Sequence, residues 1–574
     1  KIADPAVGSG AYPLGLLNEI VKLRETITAY MSIGMTAFQK RNLYVKERST
    51  YALKRSTIKD CIFAVDIDPS AVDIARLRLW LALVIDDIIV TDGDGIFERS
   101  NPTPLPNLDC NIICGNSLVD EFMGISLINK AALNENVQQN FGQEEYDYYL
   151  TEIIKAQDAL YQCDDNHKKE FYKRAIAGLR RKLIMKQLAN EGATDNIIGA
   201  FEHAEASISK PYILWPIDFA KALKDNGGFD IVIGNPPYGA KLSKEEKALM
   251  QRNYITAKTI KGVQKGSTDT YTLFIELAYN LTVKNGVFTY IVPISFVSSD
   301  SLSGVHNLLF SNCEKLVVST YAVRPQPVFE NAVVNTAIFK ANKTLNKRKK
   351  IYSTKMNRKS CNFNLSQLIK NLQFIDVEDY LMYGRIPKIG SKIEKSILDK
   401  LTEFRTVGEY IISDGSKIYY RTTGGRYFKI VTNYSTGSTK EKALSFDNKY
   451  ANSIGCILSS NLSFWFYQIY SNNLDWKTGE ILSFKVPNLK ESDIHYLDEL
   501  YEQYLRDIEN NANIRTTSSN SSYNVSQFKE YKIGKSKNII DKIDDYIGPL
   551  YGLNQEEIDF IKNYEIDVRL GDED

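Results

Sequence analysis

Short apolar runs alternate with helically spaced apolar stripes through the first 120 residues. Cys61–Val65 and Ile112–Cys114 are continuous apolar stretches of strand length, the pattern of strands covered on both faces. Leu14–Leu23 and Ser70–Val84 instead carry apolar residues at helical spacing. This strand–helix alternation predicts an α/β fold, a parallel sheet with helices on both faces. Residues 26–58 exceed what one such unit needs and read as an inserted segment. From 118 to 212 the chain is rich in Lys, Glu, Gln and Leu with few breakers, which predicts a helical insertion. The sheet pattern resumes at Phe229–Gly234, with a helix over Thr272–Thr282 and a strand over Gly286–Val292. Two further strands are predicted at Lys315–Ala322 and Val333–Phe339.

The pattern changes after the basic run Lys347-Arg348-Lys349-Lys350, which reads as a boundary or a basic patch. Residues 346–490 favour Ser, Asn, Tyr and Gly and carry short strands. A helical pattern follows over 491–509. Residues 510–527 are a polar linker rich in Asn and Ser. Two short helices are predicted within 534–566, around Leu550-Tyr551-Gly552-Leu553. The reading is therefore three parts: 1–345 with the insertion 118–212, 346–490, and a C-terminal helical region 491–574.

Bulk charge excludes little. Lys plus Arg is 71 and Asp plus Glu is 70, so any nucleic-acid surface must be a local patch. Seven scattered cysteines form no Cys-x-x-Cys pair, and four separated histidines do not propose a metal site. No run reaches membrane-spanning length and no signal peptide is visible, so a reduced cytoplasmic protein is expected. The chain opens at Lys1-Ile2-Ala3, directly before a motif, and the natural protein is expected to extend upstream.

Four strand ends carry candidate chemistry. Asp4-Pro5-Ala6-Val7-Gly8-Ser9-Gly10-Ala11 precedes a helix, and its glycines permit a tight turn and close backbone approach to a ligand. It has neither the three-glycine dinucleotide pattern nor the Lys-Ser/Thr of a P-loop. Asp66, in Val65-Asp66-Ile67-Asp68-Pro69, can accept two ribose hydroxyls, while Asp68 suits a helix cap. Asn116, in Gly115-Asn116-Ser117, is the polar residue of a third strand end. The fourth is Asn235-Pro236-Pro237-Tyr238. Two prolines end strand pairing and hold the amide in an extended backbone, with a ring beside it. A rigid amide and ring at a strand end suit a flat, amino-bearing group.

In this order the motifs resemble the adenine-N6 DNA methyltransferases that use S-adenosylmethionine. They are most similar to the gamma-class methylases of type IIG restriction–modification enzymes. The resemblance is strong over 1–120 and 229–340 and covers most of the chain. It implies a Rossmann-like doubly wound methyltransferase sheet with a helical insertion. A mixed α+β target-recognition domain at 346–490 and C-terminal helices would follow.

It also implies roles. Asp4, Pro5, Ala6, Gly8 and Gly10 line the cofactor, Asp66 holds its ribose, and Ile67 packs on its adenine. Asn116 meets the amino edge of that adenine, where many relatives have Asp, and Pro237 borders the same pocket. Asp269-Thr270-Tyr271 with Phe274 resembles a further pocket motif. Asn235 Oδ1 and the Pro236 carbonyl would accept the target amine, Tyr238 would stack on the flipped base, and Phe329 would supply a second aromatic wall. An aromatic amine is a poor nucleophile because its lone pair is delocalised. Two fixed acceptors favour a more tetrahedral nitrogen and stabilise the charge that develops during attack.

These methylases carry another cofactor element upstream of the glycine loop. This chain alone is therefore expected to bind S-adenosylmethionine weakly or not at all. The type IIG nuclease would also sit upstream, and no Asp…Glu-x-Lys nuclease cluster stands out within the 574 residues. The expected partner is double-stranded DNA. Lys258, Lys261 and Lys265 are candidate phosphate contacts, with a solvated mobile loop as the plain alternative. Arg421 and Arg426 are candidate base readers, with a surface hairpin as theirs. Two other functions stay open: a methylase of RNA bases or protein glutamine, and a non-catalytic DNA specificity module.

Overall fold

The computed structural model describes residues 1–44, 48–85, 107–128, 141–163, 165–329, 332–344, 349–359, 365–423, 429–516 and 527–570. They divide into two compact units. The first holds Lys1–Val292, Gly304–Leu316 and Phe339–Lys349; the second holds Pro293–Ser303, Val317–Ile338 and Lys350–Asp574. Among the described residues no helix is long and apolar enough to cross a membrane.

The first unit is built on the parallel strands β1 (Ile2–Asp4), β2 (Ile62–Asp66), β3 (Ile112–Cys114), β4 (Phe229–Gly234) and β5 (Thr282–Pro293). Strands β6 (Cys313–Tyr321) and β7 (Thr336–Lys343) follow, each with residues in both units. The order is β3-β2-β1-β4-β5-β7-β6. Four pairs, β1–β2, β1–β4, β2–β3 and β4–β5, are parallel. Both faces are covered, as the apolar runs predict. On one side α1 (Ala11–Met31), α2 (Thr50–Cys61) and α3 (Pro69–Val84) bury Leu17, Val21, Leu53, Val72, Ala75 and Leu79 against Ile62, Ala64 and Ile112. Elsewhere Phe63 packs edge-on against Phe219 at 5.8 Å, with Phe229 at 5.6 Å.

The insertion is helical over α4 (Phe141–Gln162), α5 (Asn166–Asn190) and α6 (Asp195–Glu205). Arg180 is its buried tie. It donates to Asp218 at 2.6 Å and to Glu205. The first residues of the segment depart from the expectation of helix. Glu121–Phe122 and Ile125–Ser126 form a hairpin whose turn uses Met123 at φ 50° and Gly124 at φ 85°. The segment 26–58 is also not a simple excursion. It completes α1 and contains most of α2, which runs straight into β2.

In the second unit β8 (Ile411–Arg421) pairs with β9 (Val431–Thr432) and β10 (Glu441–Phe446), both antiparallel. The helices α9 (Ala451–Leu458), α10 (Asn461–Tyr470), α11 (Glu491–Asn510), α12 (Lys537–Leu550) and α13 (Gln555–Asn563) belong to the same compact unit. Gly455 is required where α9 meets α11: a Cβ there would lie 2.7 Å from the Tyr501 ring. Asp544 caps α10 by accepting from the backbone N–H of Asn461 and Leu462 at 2.9 and 3.0 Å. The ends of the polar stretch pair as a ribbon, Asn513–Thr516 with Gln527–Glu530.

Candidate active site

Strand order reverses beside β1, because β2 and β3 lie on one side of it and β4 on the other. In an open parallel sheet this switch point opens a crevice at the carboxyl ends of the strands, where ligands bind. Asp4 ends β1 and Gly234-Asn235 ends β4, so two of the four motifs face this crevice by topology alone.

The glycine loop is held tightly. Val7 N–H donates to Val65 O at 2.9 Å, and Gly10 N–H to Val7 O at 3.0 Å. Gly10 sits at φ 83° at the start of α1, and a Cβ there would lie 2.9 Å from Ala75 Cα in α3. Gly8 at φ 53° has open space where a Cβ would go. Gly10→Ala should therefore cost more than Gly8→Ala. Backbone strain of this kind costs ~1–3 kcal/mol, and the contact with α3 adds to it at Gly10 alone. Denaturant midpoints of the two variants check the ranking, and equal losses would contradict it.

Asp66 and the loop are one assembly. Gly8 N–H donates to Asp66 Oδ2 at 2.7 Å, and Asp68 N–H donates to Oδ1 at 3.0 Å. Asp68 caps α3 through the Ser70 N–H at 2.9 Å. Ile67 is 60% exposed, an apolar side chain left open at the strand end. Asn116 uses its Oδ1 on the Leu118 N–H at 3.1 Å, and its own N–H donates to Lys210 O at 3.0 Å. Pro5 accepts from Ser117 Oγ at 2.6 Å. The first three motifs are thereby laced to one another and to the end of the insertion.

Asp4 is fully buried. Ala6 N–H donates to its Oδ1 at 3.1 Å, while Oδ2 has no hydrogen-bond partner among the described residues. Burial pushes its carboxyl up to about 8, against the Ala6 hydrogen bond, with Asp66 adding to the rise. Sequence reasoning missed two tyrosines beside it. Tyr12, in the first turn of α1, is pushed up to about 12 by burial and by Asp4. Tyr290 on β5 is buried, raised by burial and then by Asp4, and its hydroxyl has no hydrogen-bond partner among the described residues. Tyr12 adjoins a motif and was within reach of the sequence; Tyr290 carried no signal.

The tetrapeptide is braced on three sides. Thr270 Oγ1 donates to Pro237 O at 2.6 Å, and Gly239 N–H donates to Asp269 Oδ1 at 2.9 Å. The Tyr238 ring meets the Tyr271 ring edge-on at 6.2 Å. Tyr238 Oη lies 2.5 Å from Asn235 Oδ1 and 2.8 Å from Ile291 O. Pro236 is buried, Tyr238 half-buried, and Asn235 and Pro237 are exposed. The segment Asp269-Thr270-Tyr271 at the start of α8 (Thr270–Leu281) is thus the mount of the tetrapeptide.

After the tetrapeptide and the helix α7 (Lys244–Asn253), the loop 258–267 is fastened rather than loose. Gln264 Nε2 donates to Ile255 O at 2.7 Å and to Lys258 O at 2.9 Å. Buried Glu276 of α8 (Thr270–Leu281) accepts from the N–H groups of Ile255 and Thr256 and from Thr256 Oγ1. Lys258, Lys261 and Lys265 are exposed on it. Phe329 lies half-buried in the second unit. Arg421 is exposed at the end of β8, opposite Glu441 in register. Arg426, with Lys347 and Arg348, falls outside the described residues. Lys350 pairs with Asp376 at 2.5 Å.

A doubly wound parallel sheet with these loops at its switch point defines a methyltransferase-type α/β domain. Residues 60–329 match the family described as Eco57I restriction-modification methylase. It is 28% identical over 389 residues to a putative type II restriction enzyme and methyltransferase of Methanocaldococcus jannaschii, covering 59% of this chain and 29% of that protein. It is 22% identical over 348 residues to the type II restriction enzyme and methyltransferase Eco57I of Escherichia coli, covering 60% and 24%. The chain thus spans less than a third of the length of these two relatives. Among solved structures, the type IIL restriction-modification enzyme MmeI in complex with DNA is 13% identical with a TM-score of 0.40, covering 98% of this chain and 72% of that one.

Proposed function

We propose that this chain is the methylase part of a restriction–modification enzyme that acts in the cytoplasm. In this reading it methylates the exocyclic N6 of an adenine flipped out of duplex DNA, with S-adenosylmethionine as methyl donor. The observation that supports the reading is the tetrapeptide Asn235-Pro236-Pro237-Tyr238 at the switch-point end of β4, braced through Pro237 and the following Gly239.

The residues at the other strand ends fit such a donor. Positive φ at Gly8 and Gly10 keeps side chains off the loop, Asp66 offers remaining lone pairs to a ribose, and Ile67 is an open apolar platform. The bound cofactor would supply an electrophilic methyl group. Asn235 Oδ1 and Pro236 O then accept the two amine hydrogens and stabilise the charge that grows on nitrogen. Tyr238 offers a ring face for stacking, a contact worth roughly 1–3 kcal/mol per base. Phe329 is proposed as the opposite wall, and Arg421 with Arg426 as base readers. A nuclease acting with this methylase part is included in the proposal.

Radiolabelled methyl transfer by the full-length protein tests it. Label recovered as N6-methyladenine supports the reading. Label in RNA or protein, or none at all, overturns it. The lysine loop is tested separately. Each of Lys258, Lys261 and Lys265 that meets a phosphate should lower the slope of log affinity against log salt by ~0.9 when changed to Ala. An unchanged slope in the triple variant would remove the loop from the DNA path.

A further inference from the structure

The contacts of the Tyr238 hydroxyl are over-subscribed as they stand. Its Oη lies 2.5 Å from Asn235 Oδ1 and 2.8 Å from Ile291 O. Both are acceptors, and a phenol has one proton to give. A backbone carbonyl can only accept. The Asn235 amide, by contrast, can present either end, and its orientation is decided by the hydrogen-bond network around it.

We propose that Tyr238 is a positioning residue for Asn235, its hydroxyl donating to Ile291 O and accepting from Asn235 Nδ2. This rests on the adenine-methylation reading above and assigns the amide its direction. With Nδ2 turned to the phenol and drawn back to an ordinary N–H···O separation of ~2.9 Å, both contacts become hydrogen bonds. Asn235 Oδ1 then points away from Tyr238, free for the amine. The opposite orientation leaves one contact without a proton and gives the phenol a claim on the oxygen that catalysis needs.

The surroundings fix the phenol for this task. The near-perpendicular ring contact with Tyr271 and the tethers at Pro237 and Gly239 hold the phenol in place. Ile291 lies in β5, the neighbour of β4, so sheet pairing sets its carbonyl beside the tetrapeptide. Burial, with Tyr12 nearby, raises the Tyr238 phenol and keeps its proton in place.

Two measurements test the assignment. In protein labelled with 15N at asparagine, the Asn235 side-chain amide pair is the one lost in Asn235→Ala. Tyr238→Phe should move that pair; an unmoved pair overturns the proposal whether or not the protein methylates adenine. In single-turnover transfer, Tyr238→Phe keeps the ring but should lose roughly 10-fold in rate, the scale of one neutral hydrogen bond, with KM for DNA little changed. A rate increase would mean that the phenol obstructs Oδ1, and it would sink the idea.

The decisive comparison uses Asn235→Asp. A carboxylate presents an acceptor whichever way it turns, so it needs no orienting partner. Tyr238→Phe should therefore cost much less in the Asn235→Asp background than in the native one. Equal losses in both backgrounds overturn the positioning role and leave the hydroxyl a structural one. If the native protein transfers no methyl group to adenine, the functional reading fails by itself, and the amide shift still decides the hydrogen bond.

Discussion

Asn235→Ala should lower single-turnover methyl transfer by at least ~10²–10³-fold, the usual loss when one preorganised polar contact to a developing charge is removed. In the proposed reaction Asn235 would supply one of the two acceptors for the amine, and the other, the Pro236 carbonyl, could not serve both hydrogens. Binding to duplex DNA should be largely unchanged. Asn235 is a single exposed amide, whereas affinity for DNA comes mainly from phosphate contacts. The split is the informative result: rate lost, affinity kept. A native rate in the variant would refute the role given to the tetrapeptide. A parallel loss of DNA binding would instead say that Asn235 is a structural pin for the β4 end.

The elements that position this site were largely legible because strand ends are punctuated by residues with local meaning. Gly10, Pro69 and Pro236 act through their own backbones, so the glycine loop, the start of α3 and the end of β4 could be read directly. What stayed hidden was decided by distant partners. Cys61 reads as the start of a strand, yet it closes α2. The reason is Asn111, whose Nδ2 donates to the carbonyls of Ile58, Lys59 and Ile62 at 3.3, 3.1 and 2.8 Å and caps that helix from about 50 residues away. The hairpin at 121–126 turns on Met123 at positive φ, which a propensity argument does not anticipate. Likewise Asp66 was legible as a strand-end carboxylate, while its bond to the Gly8 N–H, 58 residues away in sequence, was not. The lysine loop shows the same limit. There Gly266 is needed because a Cβ would lie 2.1 Å from Ala257 O, a constraint set by a residue nine positions earlier.

Asp4 sets the second large expectation, a pH-dependent stability cost at the glycine loop. Its carboxyl is raised from 3.8 to about 8, first by burial. Between those values the folded protein keeps a proton that the unfolded chain releases. Stability must therefore fall as pH rises from about 4 toward 8, and level off above. Each unit of separation is worth ~1.4 kcal/mol, so the window spans several kcal/mol. Asp4→Asn resembles the protonated acid and keeps an oxygen for the Ala6 N–H, but it does not titrate. The variant should thus melt higher than the native protein at pH 8.5. The gap should shrink steadily toward pH 5, at ~2–4 °C per kcal/mol for a unit of this size. A gap that is constant with pH, or that widens toward acid, would contradict the buried neutral carboxyl. An acid kept at such a cost at the switch point, with Oδ2 unpartnered among the described residues and Tyr12 and Tyr290 beside it, is where local stability has given way. Functional sites are where such exceptions gather. If Asp4 faces the cofactor, as the family resemblance implies, Asp4→Asn should raise stability and lower methyl transfer together, whereas a purely structural Asp4 would raise stability alone.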